Sequence, residues 1–139
     1  MKSTLVFSIA VLTALGLAPI ASAATVSGFS GKWPLTVTDS KLDNGNHCLT
    51  LTDDGSAGWP HSGPAIIHSA RNGTLSGTFQ FIDHIVLVSI DDEGQTQNAS
   101  SVYALRTRNS NLGDGGLQEV NGGQTVDSGE VVVGPRGGS

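Results

Sequence analysis

The chain has 139 residues, 12 of them acidic against 7 basic, and a formal net charge of −5. Arg106 and Arg108 form its only close basic pair, so it lacks the clustered positive surface that binding a phosphate backbone requires, and nucleic acid is not an expected partner. A lone cysteine, Cys48, excludes an intrachain disulfide.

Residues 1–23 read as a cleavable signal peptide. Met1-Lys2 supplies the positive start, an apolar run from Leu5 to Leu17 follows, Pro19 interrupts it, and Ala21-Ser22-Ala23 is a small-residue cleavage site. The apolar run is shorter than the roughly 20 residues that span a bilayer, and no later segment is apolar enough to do so. The expectation is a secreted or periplasmic protein beginning near Ala24, and the compact leader has a bacterial style. The remainder, 24–139, is the length of one domain and can bury enough surface to fold without staples.

No helical periodicity follows the leader; short β-rich runs alternate with Gly, Asn and Asp clusters. The first predicted strand is Lys32–Thr38, with Trp33, Leu35 and Val37 on one face. Asp43-Asn44-Gly45 is a hairpin signal, and the second strand, His47–Thr52, places His47, Leu49 and Leu51 together. A turn-rich stretch runs from Asp53 to Pro64. Strands are then expected at Ala65–Ser69 and, after an Asn72-Gly73 turn, at Thr74–Ile82, where Leu75, Phe79 and Phe81 share a face and Gly77 suggests a bulge or bend. Beyond Asp83-His84, Ile85–Ile90 is apolar on both faces and reads as a central buried strand. Asp91–Gly94 turns the chain into Ser101–Thr107. Asn109–Gly115 reads as a loop, Gly116–Val120 as a strand, Asn121-Gly122-Gly123 as a turn, Gly129–Val133 as the last strand and 134–139 as a disordered tail. About eight strands joined by short turns make sequential neighbours antiparallel. The expected fold is all-β: a meander closing into a small barrel, with a β-sandwich as the alternative.

Ser30-Gly31-Lys32-Trp33, opening the first strand of such a meander, resembles the G-x-W entrance of calycin-type barrels: lipocalins, avidins and small bacterial metalloprotease inhibitors. The segment Asn72-Gly73-Thr74-Leu75-Ser76-Gly77-Thr78-Phe79 is similar to an avidin pattern of a glycine turn leading into a strand with T-G-x-aromatic. The resemblance implies that Trp33 plugs the closed end of a barrel. It does not carry biotin binding, because only Trp33 and Trp59 are present to wall a site, and it does not carry the inhibitor disulfide.

His47, His61, His68 and His84 show no metal-ligand spacing, so no metal or other cofactor is expected. Asp53-Asp54-Gly55 and Asp91-Asp92-Glu93-Gly94 lack the alternating oxygens of a calcium loop and read, with Asp43 and Asp114, as solubility charges on turns. No G-x-S-x-G elbow occurs, and Glu119 is the one acidic residue placed centrally in a predicted strand, where an outward orientation would leave it solvated. No catalytic residue is assigned. Cys48 is open to three readings, a buried inert thiol, an intermolecular disulfide or a nucleophile. The most distinctive segment, Gly58-Trp59-Pro60-His61-Ser62-Gly63-Pro64, reads as a binding loop or as a stiffened cap on the core. Trp33, Trp59 and His61 are therefore the candidate ligand-binding residues. The expected function is a secreted, non-catalytic barrel that binds an unknown small ligand or protein. The alternatives are a small protease inhibitor acting through the stretch from Ala24 to Ser30, and a small hydrolase.

Overall fold

A computed structural model describes residues 28–54, 61–70, 73–91 and 99–139. Their strands are β1 (Gly31–Thr38), β2 (Gly45–Leu51), β3 (Ser62–Ser69), β4 (Gly73–Ile82), β5 (Ile85–Asp91), β6 (Ala99–Arg108), β7 (Asn111–Asn121) and β8 (Gln124–Val133). Each pairs antiparallel with the next, and β8 returns to β1 through Leu35–Val133 to Thr38–Glu130, closing a barrel with no free edge. The meander is the one expected; the sandwich is excluded. Among the described residues no helix is long and apolar enough to cross a membrane.

Period-two patterning decides which side chains face inward. Trp33, Leu35 and Val37 from β1, Leu49 and Leu51 from β2, Phe79 from β4, Val86, Val88 and Ile90 from β5, and Tyr103 and Leu105 from β6 are buried in one core cluster. Leu75, Phe81 and Val133 pack against its margin. The described core fills the barrel with large side chains.

Several expectations change. Gly77 marks no bulge, because the β4 register runs unbroken on both sides. It marks a close approach instead, since a Cβ there would lie 1.8 Å from the Ser89 carbonyl oxygen. Gly115 has the same role, with the Ala104 carbonyl oxygen at 1.9 Å. The expected loop at Asn109–Gly115 is consequently strand for most of its length, and its glycines serve strand packing. Register shifts do occur, at Leu105/Thr107 between β6 and β7 and at Glu119/Val120 between β7 and β8. β5 is not buried on both faces: a closed barrel has one wet side, and Ile85 is 38% exposed there with Leu87 half-buried.

The acidic residues also differ from expectation. Asp43, Asp53 and Glu119 are buried, not solubility charges, and Glu119 points inward. Residues 134–139, expected to fray, lie across β1. The Gly134 amide donates to the Pro34 carbonyl at 2.8 Å and the Gly137 amide to Lys32 at 2.7 Å. The leader, the turn residues 92–94, Asn72 and the loop residues Gly58–Pro60, with Trp59, lie outside the described residues.

Candidate binding surface

At the end where β1 begins, the tail brings Arg136 over the Trp33 ring, with the guanidinium carbon 4.5 Å from the ring centroid. The same guanidinium donates to the carbonyls of Ser30 and Gly28, each at 3.1 Å, and to that of Ser110. It therefore ties the C-terminus, the entry to β1 and the β6–β7 turn together. Burial lowers the Arg136 pKa, but an arginine so far above neutrality stays charged. Beneath it the Trp33 indole N–H donates to the Phe29 carbonyl at 3.0 Å, and Phe29 itself is buried.

Phe29 links this plug to His61. Their rings meet edge to face, with centroids 5.8 Å apart, and Phe81 stands 6.2 Å from the imidazole on another side. The Asp53 carboxylate, with no exposed side-chain surface, accepts the Phe29 amide at 3.1 Å and His61 Nδ1 at 2.9 Å. Because a carboxylate only accepts, Nδ1 carries the proton in this pair and the ring is held in one orientation, 20% exposed. The backbone continues the β2–β3 ladder past Leu51: the Thr52 amide donates to Pro64 and the Asp54 amide to Ser62, while the Phe81 amide donates to the His61 carbonyl.

A groove of about 620 Å³ runs over β3 and β4, from Ser62 to Pro64 on one strand and Gly77 to Ile82 on the other. Ser62, Pro64, Thr78, Gln80 and Ile82 line it, and Asp54 supplies the one charged group in its lining. The groove mixes hydroxyl, amide and apolar surface, so it suits an amphipathic guest.

The opposite end is tied shut differently. The loop between β1 and β2 folds onto Asp127 of β8, whose carboxylate accepts Ser40 Oγ at 2.7 Å and the amides of Lys41 and Leu42 at 3.0 Å each. Desolvation pushes the Asp127 carboxyl up. The bonds from Ser40, Leu42, Lys41 and Ser128 outweigh it and hold the group below its ordinary value near 3.8. The Asp-Asn-Gly turn is thus part of a longer clasped loop. Under it, His47 Nε2 meets the Asp43 carbonyl at 2.8 Å, and Ser101 Oγ donates to Glu119 at 2.6 Å.

Of the candidate residues, Trp33 and His61 are brought together through Phe29. Trp33, at 1% exposure, is core and offers no surface to a ligand; the His61 ring packs on Phe29 and Phe81 and does not line the groove. Sequence reasoning missed Arg136, read as tail, and Asp53, read as surface charge. Only segments of the same chain distant in sequence give either one its role, and no local pattern announces that. Of the stretch expected to enter a protease cleft, residues 28–30 are held by Asp53 and Arg136. Cys48 faces outward from β2, half-buried beside the Ser139 hydroxyl. His68 and His84 are exposed, and among the described residues no three His, Cys, Asp or Glu side chains converge as a metal site would require. No family model, no curated protein and no solved structure matches this chain.

Proposed function

We propose that the chain is an exported, non-catalytic β-barrel binding protein, released from its leader after Ala23, which holds an amphipathic ligand on its outer wall in the β3–β4 groove. One observation carries this reading: a groove of about 620 Å³ lies over β3 and β4, where the polar groups of Asp54, Thr78 and Gln80 stand beside apolar Pro64 and Ile82. Rigidly held polar groups next to apolar surface give a site orientation and specificity at low ordering cost. The filled core supports a site on the outside of the barrel rather than in it. The lining favours a neutral or cationic guest, since its one charged group is Asp54. The burial of Trp33 beneath Phe29 and Arg136 is consistent with the calycin-type reading of Gly31-Lys32-Trp33.

The test is native mass spectrometry after incubation with short amphipathic peptides, acyl chains and oligosaccharides. A one-to-one adduct is expected, and Thr78→Trp, which fills the groove from an exposed strand position, should abolish it while leaving the circular dichroism unchanged. Absence of any adduct across the panel, or one that survives Thr78→Trp, contradicts the proposal.

A further inference from the structure

We infer that the barrel end where β1 begins is a recognition site for an arginine side chain. In this structure the chain's own Arg136 fills it, and the same group from another polypeptide takes its place when the tail lifts. The site lies apart from the β3–β4 groove and does not depend on it. The Trp33 ring offers one face to the guanidinium, whose carbon stands 4.5 Å from the ring centroid. Three carbonyls surround the edge of that planar cation. Nη1 donates to Ser30, and the two hydrogens of Nη2 go to Gly28 and Ser110. The aliphatic stem runs over Gly31, where a Cβ would stand 3.0 Å from both Cγ and Cδ. A ring for the plane, acceptors for the edge and a bare α-carbon under the stem together match arginine. An ammonium group is a compact point charge that cannot stack on the indole and fork to these carbonyls at once.

The receptor is built without help from the tail. The Trp33 indole N–H donates to the Phe29 carbonyl and so fixes the ring. The Phe29 amide donates to the Asp53 carboxylate and the Asp53 amide to Ser30 Oγ, which pins the segment carrying two of the three carbonyls. The third, on Ser110, belongs to the β6–β7 turn, where Asn109 adopts a φ of 58°. Withdrawing Arg136 therefore leaves acceptors aimed at one point, and a site held ready in this way binds at low ordering cost. The tail is fastened more lightly. Pro135 and residues 137–139 are exposed, and two glycine amides on β1 and the Ser139 contact with Cys48 hold them. A short tether presents its own arginine at about millimolar effective concentration, which an incoming ligand must match. The net charge of −5 favours the approach of a basic ligand.

The intact chain carrying Arg136→Ala tests this, with N-acetylarginine amide as the probe and N-acetyllysine amide as its control. The arginine probe should raise the Tm of the variant by about 5 °C at about ten times its dissociation constant. It should also shift the Trp33 Nε1–H resonance. The lysine probe should bind the variant about 10-fold more weakly or worse. The wild type, its site already filled, should bind the arginine probe about 10-fold more weakly than the variant does. Should Arg136→Ala fail to fold alone, the arginine probe and not the lysine probe should restore its β circular dichroism. Equal responses to the two probes, equal binding by wild type and variant, a folded variant that binds neither, or an unfolded one that neither restores overturns the inference.

Discussion

Arg136→Ala removes the strap that joins both termini to the barrel end. Four contributions are lost: the stacking on Trp33 at 4.5 Å and the three charge-assisted bonds to Ser30, Gly28 and Ser110. A cation over an aromatic face is worth about 0.5–2 kcal/mol, depending on desolvation. Each bond to a charged donor contributes about 1.5–3 kcal/mol when buried. The guanidinium is only partly withdrawn from water, so solvent replaces a share of these bonds, and the net cost is about 2–3 kcal/mol. For a domain of this size that lowers Tm by about 8–12 °C. Arg136→Lys keeps the charge but cannot fork to three carbonyls while stacking, so it should lose about half as much. Truncation before Gly134 should match Arg136→Ala or exceed it, because it also removes the amides that bond to Lys32 and Pro34. Thermal unfolding followed by near-UV circular dichroism measures all three. A Tm for Arg136→Ala within about 2 °C of wild type would show that the tail is an ornament and the strap is not a source of stability.

Other consequences are equally direct. Phe79→Ala, at the packed centre, should cost about 3–5 kcal/mol in urea unfolding, because it opens a hollow in a barrel that has none there. Gly77→Ala and Gly115→Ala drive a methyl into the Ser89 and Ala104 carbonyls and should each cost about 2–3 kcal/mol; a neutral result would mean the strands are not so close. Asp53→Ala leaves the Phe29 amide and His61 Nδ1 without their buried acceptor, at about 2–4 kcal/mol, and should free the His61 ring to change rotamer in NMR spectra. The clasp on Asp127 should respond to acid. Because its folded pKa is depressed, its contribution is present above about pH 4 and is lost as pH falls through the folded value. The amide shifts of Lys41 and Leu42 should therefore move together in that acid range, and Asp127→Asn should remove the transition.

The patterning of Trp33-Leu35-Val37, His47-Leu49-Leu51 and Leu75-Phe79-Phe81 was sufficient to place the strands and their inward faces, since alternation is a local property. The glycines misled: Asn109–Gly115 has the composition of a loop, yet Gly115 is there because the β6 backbone passes within 1.9 Å of where a Cβ would be. Such closeness is set by a neighbour in space. Arg136 and Asp53 were illegible for the same reason, as their partners lie 106 and 24 residues away along the chain. His61 stood out because prolines and glycines surround it. The groove over β3 and β4 did not, because its wall is the ordinary polar outside of β4, recognisable as a wall only when β3 is laid next to it.

The central claim is that the interior is full and the binding surface lies outside it. Methyl- and amide-detected NMR during titration with the guest identified by mass spectrometry tests it most directly. Shifts are expected at Ser62, Gly63 and Gly77–Ile82, with the methyls of Leu35, Leu49, Val88 and Leu105 unmoved. Shifts concentrated on those core methyls, with the groove silent, would place the ligand inside the barrel and contradict it.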